Sequence, residues 1–245
     1  MIRQILVAAC LATALGGAAA PTEIPDYIGK AVADPTRPAD DRAADANRDP
    51  LFTLFFAKVK PGMVVGELYP CGGYFSRMIA DIVGPTGKVY GIDTARWKGC
   101  DAATQKVIDE GHKNFSFTVN AFGEFSLPEK VDLFWISQNY HDLHIKEYGT
   151  VDMAAFNRHV FDSLKPGGTY FVLDHQAAGP LDDAAIAKFH RIWKAQVVAE
   201  VEAAGFQPAG EGFFLNRPGD DHTKPIFDPS IRGHTDQFVL RFVKP

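Results

Sequence analysis

The chain has 245 residues, 46% hydrophobic and 22% charged, the make-up of one globular domain with a full core. Its 30 acidic residues outnumber its 25 basic ones, giving a net charge of -5, so no basic face for nucleic acid is expected. No internal repeat or low-complexity tract occurs, which leaves no repeat surface for a polymer.

Arg3, the apolar run Ile5 to Leu15 and the small residues Gly16 to Ala20 form the three-part pattern of a secretory signal peptide, residues 1–20. Cleavage after Ala19 or Ala20 would discard Cys10. The run is shorter than the roughly 20 apolar residues of a membrane span. No stable membrane insertion is therefore expected after removal, and the mature protein is expected to be periplasmic or secreted. An uncleaved anchor is the second reading. Cys71 and Cys100 would remain. An oxidising compartment permits a disulfide between them, but two free thiols are the preferred expectation, since spacing alone cannot set the geometry.

Residues 21–50, rich in Pro, Asp, Ala and Arg, read as an arm laid over the domain, with short helices at Asp26 to Ala33 and Pro38 to Asn47. The domain proper is residues 51–245. It opens with an apolar helix, Leu51 to Val59. Strands and helices then alternate: strand Val64 to Leu68, helix Tyr74 to Val83, strand Val89 to Asp93, helix Asp101 to Gly111, strand Phe115 to Val119. Val131 to Ser137, "VDLFWIS", reads as an apolar strand buried on both faces. A helix at Met153 to Leu164, a turn at Lys165 to Gly168 and a strand at Thr169 to Asp174 follow. Ile186, Phe189, Ile192, Trp193, Val197 and Val201 predict one long helix from Leu181 to Ala204, ended by Gly205. Phe206 to Leu215 and Gln237 to Val243 would close the sheet. The expected fold is α/β: Rossmann-like, doubly wound, a mostly parallel seven-stranded sheet with a C-terminal antiparallel strand pair.

Ligands in such sheets bind outside the carboxyl ends of the strands. Gly72 and Gly73, after the first strand, permit close backbone approach, and a helix starts there with free N–H groups. Asp93 ends the second strand about 20 residues further on, where a carboxylate can accept both hydroxyls of a ribose. The loop "ELYPCGGYF" lacks the glycine spacing of a dinucleotide fold, so a nicotinamide-dependent oxidoreductase is a weak third reading.

The order acid-x-x-x-x-Gly-Gly-aromatic resembles motif I of the class I S-adenosylmethionine-dependent methyltransferases. "VDLFWISQNYHD", "FDSLKPGGTYFVLDH" and "VEAAGFQ" resemble, in order, that family's fourth strand, fifth strand and sixth-strand approach. The tail from Asn216 to Pro245 is similar to an exported branch of predicted methyltransferases, whose loop reads Pro-Gly-Gly-Gly where this chain has Pro70-Cys71-Gly72-Gly73. The resemblance implies S-adenosyl-L-methionine as cofactor and methyl transfer to a small-molecule acceptor. It implies Glu67 orienting the loop, Cys71, Gly72 and Gly73 passing under the amino-acid end, and Asp93 on the ribose. Thr94 or Ala95 would lie beside the adenine, Asn120, Ala121 and Phe122 would line the base pocket, and Asn139 would meet the methionine portion. The competing reading is an exported, non-catalytic binding protein that keeps the fold. Tyr69 and Cys71 stand where motif I has glycines, and the cofactor is made in the cytoplasm.

The reaction site is expected from the polar residues after the fourth and fifth strands and in the loop Pro218 to Thr235. His141 is the first candidate for general base and His175 the second, because histidine titrates near neutrality. Tyr140, Asp142, Asp174, Asp221 and His222 are substrate candidates. His112, His159 and His190 read as solvated or packing residues on helices. No metal is expected, since the histidines show no ligand spacing such as H-E-x-x-H. Nothing in the sequence fixes the oligomeric state.

Overall fold

The computed structural model describes residues 23–245. The predicted signal peptide therefore lies outside the described residues. Among those described, no helix is long and apolar enough to cross a membrane.

Three short helices come first: α1 (Asp26–Val32), α2 (Ala39–Arg48) and α3 (Pro50–Ala57). Asp49 caps α3, and Pro50 sits at its first turn, where a missing N–H costs nothing. Then follow β1 (Val64–Leu68), α4 (Tyr74–Val83), β2 (Lys88–Thr94), α5 (Cys100–Asp109), β3 (Phe115–Asn120) and β4 (Val131–Ser137). After a 3-10 turn at His141–His144 come α6 (Met153–Ser163), β5 (Leu164–His175), α7 (Asp183–Phe189), α8 (Lys194–Ala203), β6 (Gln207–Gly212) and β7 (Gln237–Val243).

The seven strands form one sheet in the order β3-β2-β1-β4-β5-β7-β6. β1 to β5 run parallel, and β7 runs antiparallel to both β5 and β6. The expected fold class holds. The strand order reverses between β1 and β4, so a crevice opens outside their carboxyl ends. Side chains of β4 and β5 alternate between two cores. Phe134, Ile136, Tyr170 and Val172 pack on one face. Leu133, Trp135, Phe171 and Leu173 pack on the other, together with Ile28 and Ala31 of α1.

Two local expectations need correction. The turn at Lys165 to Gly168 lies within β5, as an irregularity where Leu164 pairs Val131 and Thr169 pairs Leu133. Gly167 takes a positive φ of 75° there, and its N–H donates to the Lys244 carbonyl. The long helix Leu181 to Ala204 is two helices. His190 turns left-handed at φ 51°, and Ile192 bridges to Gln176 like a strand residue. The Ile192 N–H donates to the His175 carbonyl, and the Ala177 N–H donates to Ile192. Arg191, wholly buried, holds the break by donating to the carbonyls of Gln176 and Lys224 and to the Asp220 carboxylate.

Candidate active site

The turn after β1 is tightly specified. Tyr69 sits at φ 52°, left-handed and costly for a bulky residue. Its N–H donates to the Ile92 carbonyl, and its hydroxyl accepts from the Gly123 N–H. The ring stacks on Phe122 at 5.4 Å between centroids and meets Trp97 edge-on at 4.7 Å. A Cβ on Gly73 would collide with Val107 of α5, so this position must be glycine. At Gly72, φ is 102° and no atom lies within 4 Å of where a Cβ would stand, leaving open space above the backbone. Cys71 is disulfide-bonded to Cys100, at the start of α5, with 4.6 Å between their Cα atoms. The expectation of two free thiols is thereby corrected: the fold brings the turns after β1 and β2 together, which spacing in the chain does not reveal.

Asp93 is fully buried at the end of β2, and neither carboxylate oxygen has a hydrogen-bond partner. Burial raises its pKa; the Thr104 hydroxyl and the Cys71 N–H lie close enough to draw it down less, but neither reaches the carboxylate in hydrogen-bond geometry. Such an orphaned pair of acceptors is costly unless something donates to it. Glu67 is also buried and accepts from Ser76 at 2.6 Å. Burial, helped by the neighbouring Asp93 and opposed by Ser76, Arg48 and Arg77, pushes its carboxyl up to about 7. The fold thus prefers the protonated form. Glu67 contributes fully below about pH 4.5 and loses that contribution as pH rises through 7. Glu67→Gln should therefore gain roughly 2–3 kcal/mol over wild type between pH 4 and pH 8. Urea denaturation at the two pH values checks this; a pH-independent difference contradicts it.

Arg48, at the end of α2, reaches over this region. It donates to Gln138 Oε1 at 2.7 Å and lies 4.3 Å from the Tyr74 ring centroid. Arg48, Glu67, Cys71, Ser137, Gln138 and Asn139 are among the walls of a cavity of about 160 Å³. A second cavity of about 200 Å³ lies across Arg48 and Gln138, with His175, Phe227, Arg232 and Thr235 in its wall. The Arg48–Gln138 hydrogen bond stands between the two.

His141 and Asp142, just past β4, and Asp174 and His175, at the end of β5, do come together. His141 Nδ1 is 2.7 Å from Asp174 Oδ1, and its Nε2 faces Asp142 Oδ1 at 3.3 Å and His190 Nδ1 at 3.2 Å. Burial opposes the charged ring, but the two carboxylates outweigh it and raise its pKa to about 10. Both ring nitrogens are engaged and the residue is only 1% exposed, so the ring has no free nitrogen for a substrate proton. The general base expected at His141 is therefore not what this geometry offers. His175 is the opposite case: burial pushes its pKa down to about 3, and its Nδ1 pairs with the Thr235 hydroxyl.

The remaining predicted residues divide. Asn139 donates to Asp142 Oδ2 at 3.1 Å. Phe122 belongs to the aromatic cluster, Asn120 turns back onto the Thr118 hydroxyl, and Ala121 is exposed beside them. Tyr140 points into the core, donating to Glu200 and accepting from Asn157, which removes it from the substrate set. Asp221 closes a local turn onto Thr223, and His222 pairs with Asp236 at 2.9 Å. Neither lines the two cavities, because the loop folds their side chains onto itself.

Sequence reading missed Arg48, His190 and the Arg191–Asp220 pair. The one available signal was Arg191, a charge inside an apolar stripe with no acid three or four residues away.

No protein-family model matches the sequence, and no curated protein matches it. Solved structures do resemble the fold. A SAM-dependent methyltransferase from Aquifex aeolicus superposes with a TM-score of 0.60 at 18% identity, covering 90% of this chain and 98% of that one. Fibrillarin from Aeropyrum pernix, crystallised with natively bound S-adenosyl-L-methionine, gives 0.51 at 16%, covering 76% and 68%. The (4+2)-cyclase SpnF gives 0.60 at 16%, covering 87% and 86%. Strand order, the antiparallel β7 and these likenesses agree: the chain has the Rossmann-like fold of the class I S-adenosylmethionine-dependent methyltransferases.

Proposed function

We propose that the protein is an S-adenosylmethionine-dependent methyltransferase acting on a small molecule outside the cytoplasm. The observation that carries this reading is Asp93: a buried carboxylate with two unpartnered oxygens, at the end of the strand after the glycine turn. A ribose diol supplies two donors for those two acceptors. The rest of the crevice fits the same ligand. Glu67 suits an ammonium, which would draw off the proton that burial makes it hold. Arg48 suits a carboxylate. Gly72 leaves its backbone open to close approach.

The cofactor supplies an electrophilic methyl group on a sulfonium. The chain's own contribution is alignment and exclusion of water. Arg48 and Gln138 separate the cofactor side from the second cavity, whose size suits a small acceptor. Arg232 there favours an acceptor with an acidic or polar group, and His175 with Thr235 offers it a hydrogen-bonding pair. Export is supported by the leader-like first residues and by the Cys71–Cys100 bridge, which persists in an oxidising compartment.

One observation favours the second reading, a binding protein without methyl transfer. Tyr69, Trp97, Phe122 and Tyr148 pack together where a base would enter, so the nucleoside must part them. The cyclase of like fold carries, by its name, another chemistry. Calorimetric titration with S-adenosylhomocysteine separates the two. The methyltransferase reading predicts micromolar binding that weakens about 100-fold in Asp93→Ala, the loss of two hydrogen bonds to a charged group. No heat at millimolar ligand would leave the second reading standing. Equal binding by the variant would refute the ribose assignment alone.

A further inference from the structure

His141, Asp142 and His190 form a cluster that methyl transfer as proposed does not use. Three ligand-type atoms face one point. His141 Nε2 lies 3.2 Å from His190 Nδ1 and 3.3 Å from Asp142 Oδ1, and His190 Nδ1 lies 3.4 Å from the same oxygen. The triangle is nearly equilateral. Ligands at about 2.0–2.1 Å from a tetrahedral zinc stand about 3.4 Å apart, against about 2.9 Å for neighbours in an octahedron. The observed edges match the tetrahedral figure.

The surroundings match too. A metal-bound imidazole usually donates its other N–H to a carboxylate, which fixes the ring, and the ion takes the place of the proton that Nε2 of His141 otherwise shares with Asp142, releasing it to solvent. His141 Nδ1 meets Asp174 Oδ1 at 2.7 Å, and Asp174 Oδ2 accepts the His141 backbone N–H at 2.7 Å. Asp142 is held by the Asn139 amide on its other oxygen. His190 reaches the cluster only because the chain turns left-handed there and splits the expected long helix. That conformation costs about 1–3 kcal/mol in a residue other than glycine. Here it aims an imidazole at two buried partners. Two imidazoles with one carboxylate suit zinc or a neighbouring first-row ion and not magnesium or calcium, which take oxygen donors.

We propose that His141 Nε2, Asp142 Oδ1 and His190 Nδ1 bind one divalent transition-metal ion, zinc by geometry, with a fourth position open to water or a ligand heteroatom. The ion would stand between the two cavities. Asn139, in the wall of the first, holds Asp142, while His175 and Phe227, in the wall of the second, pack against His141 and His190. The inference does not depend on the cofactor assignment, because the ion is detected without it.

The test uses the untagged mature chain, stripped with a chelator and dialysed against zinc or cobalt(II). One ion per chain is expected, and cobalt(II) should give the intense visible bands of a tetrahedral site. His190→Asn keeps the left-handed backbone, which asparagine tolerates. It should weaken binding about 10- to 100-fold or more, the range seen even for groups that only support a ligand. His222→Ala, at a histidine–carboxylate pair outside the cluster, should leave binding unchanged. Binding below about one tenth of an ion per chain at micromolar metal, far weaker than structural zinc sites, would overturn the proposal. So would equal affinity in a folded His190→Asn variant, or loss of the ion in His222→Ala.

Discussion

Asp220→Ala should destabilise the protein by about 3–5 kcal/mol, the cost of leaving a buried charge without its partner. Arg191 and Asp220 pair at 2.8 Å, with side chains 0% and 1% exposed. Asp220 also accepts the backbone N–H groups of His222 and Asp236. Burial alone would raise its pKa, but those two N–H groups and the Arg191 guanidinium hold it below the usual carboxylate range. Its contribution is therefore present above the unfolded value and lost on acidification through the folded one. The consequences are local as well as global. Arg191 fixes the break between α7 and α8 that delivers His190, and Asp220 ties down the loop between β6 and β7. Urea denaturation at pH 7 measures the loss. A change under about 1 kcal/mol, the scale of an exposed ion pair, would mean the pair does not organise this edge.

Reducing the Cys71–Cys100 bridge, or replacing both residues by serine, should cost about 3–4 kcal/mol in the loop-entropy picture for a separation of 29 residues. The bridge also fastens the glycine turn to the start of α5, beside Asp93. Its loss should raise hydrogen exchange in the turn Tyr69 to Gly73 before it does so in β1. Denaturation with and without reductant gives the energy. Equal midpoints would show that the bridge constrains nothing that unfolds.

Much of this architecture is legible locally. β4 carries an unbroken apolar run, Leu133 to Ile136, because both its faces are buried there, and that needs no knowledge of neighbours. The turn after β1 and Asp93 stand in register because a glycine turn, one helix and one strand have nearly fixed lengths. What escaped depends on partners far along the chain. Arg191 breaks a regular helical stripe because its acid lies 29 residues away, and no proline or glycine marks the place. His190 looks like a solvated helix residue until that break turns it inward. Tyr140 sits among polar residues in sequence, yet faces Asn157 and Glu200 once α6 and α8 close over it. The cysteines meet because parallel strands bring successive turns to one edge.

The most direct measurement is a crystal structure of residues 23–245, disulfide-bonded, grown with S-adenosylhomocysteine. The ribose hydroxyls should donate to both oxygens of Asp93 at hydrogen-bond distance. The amino-acid end should lie between Glu67 and Arg48, with Trp97 and Phe122 moved apart around the base. Crystals from millimolar ligand in which Tyr69, Trp97 and Phe122 keep their mutual packing, and Asp93 meets no ligand, would contradict the cofactor site.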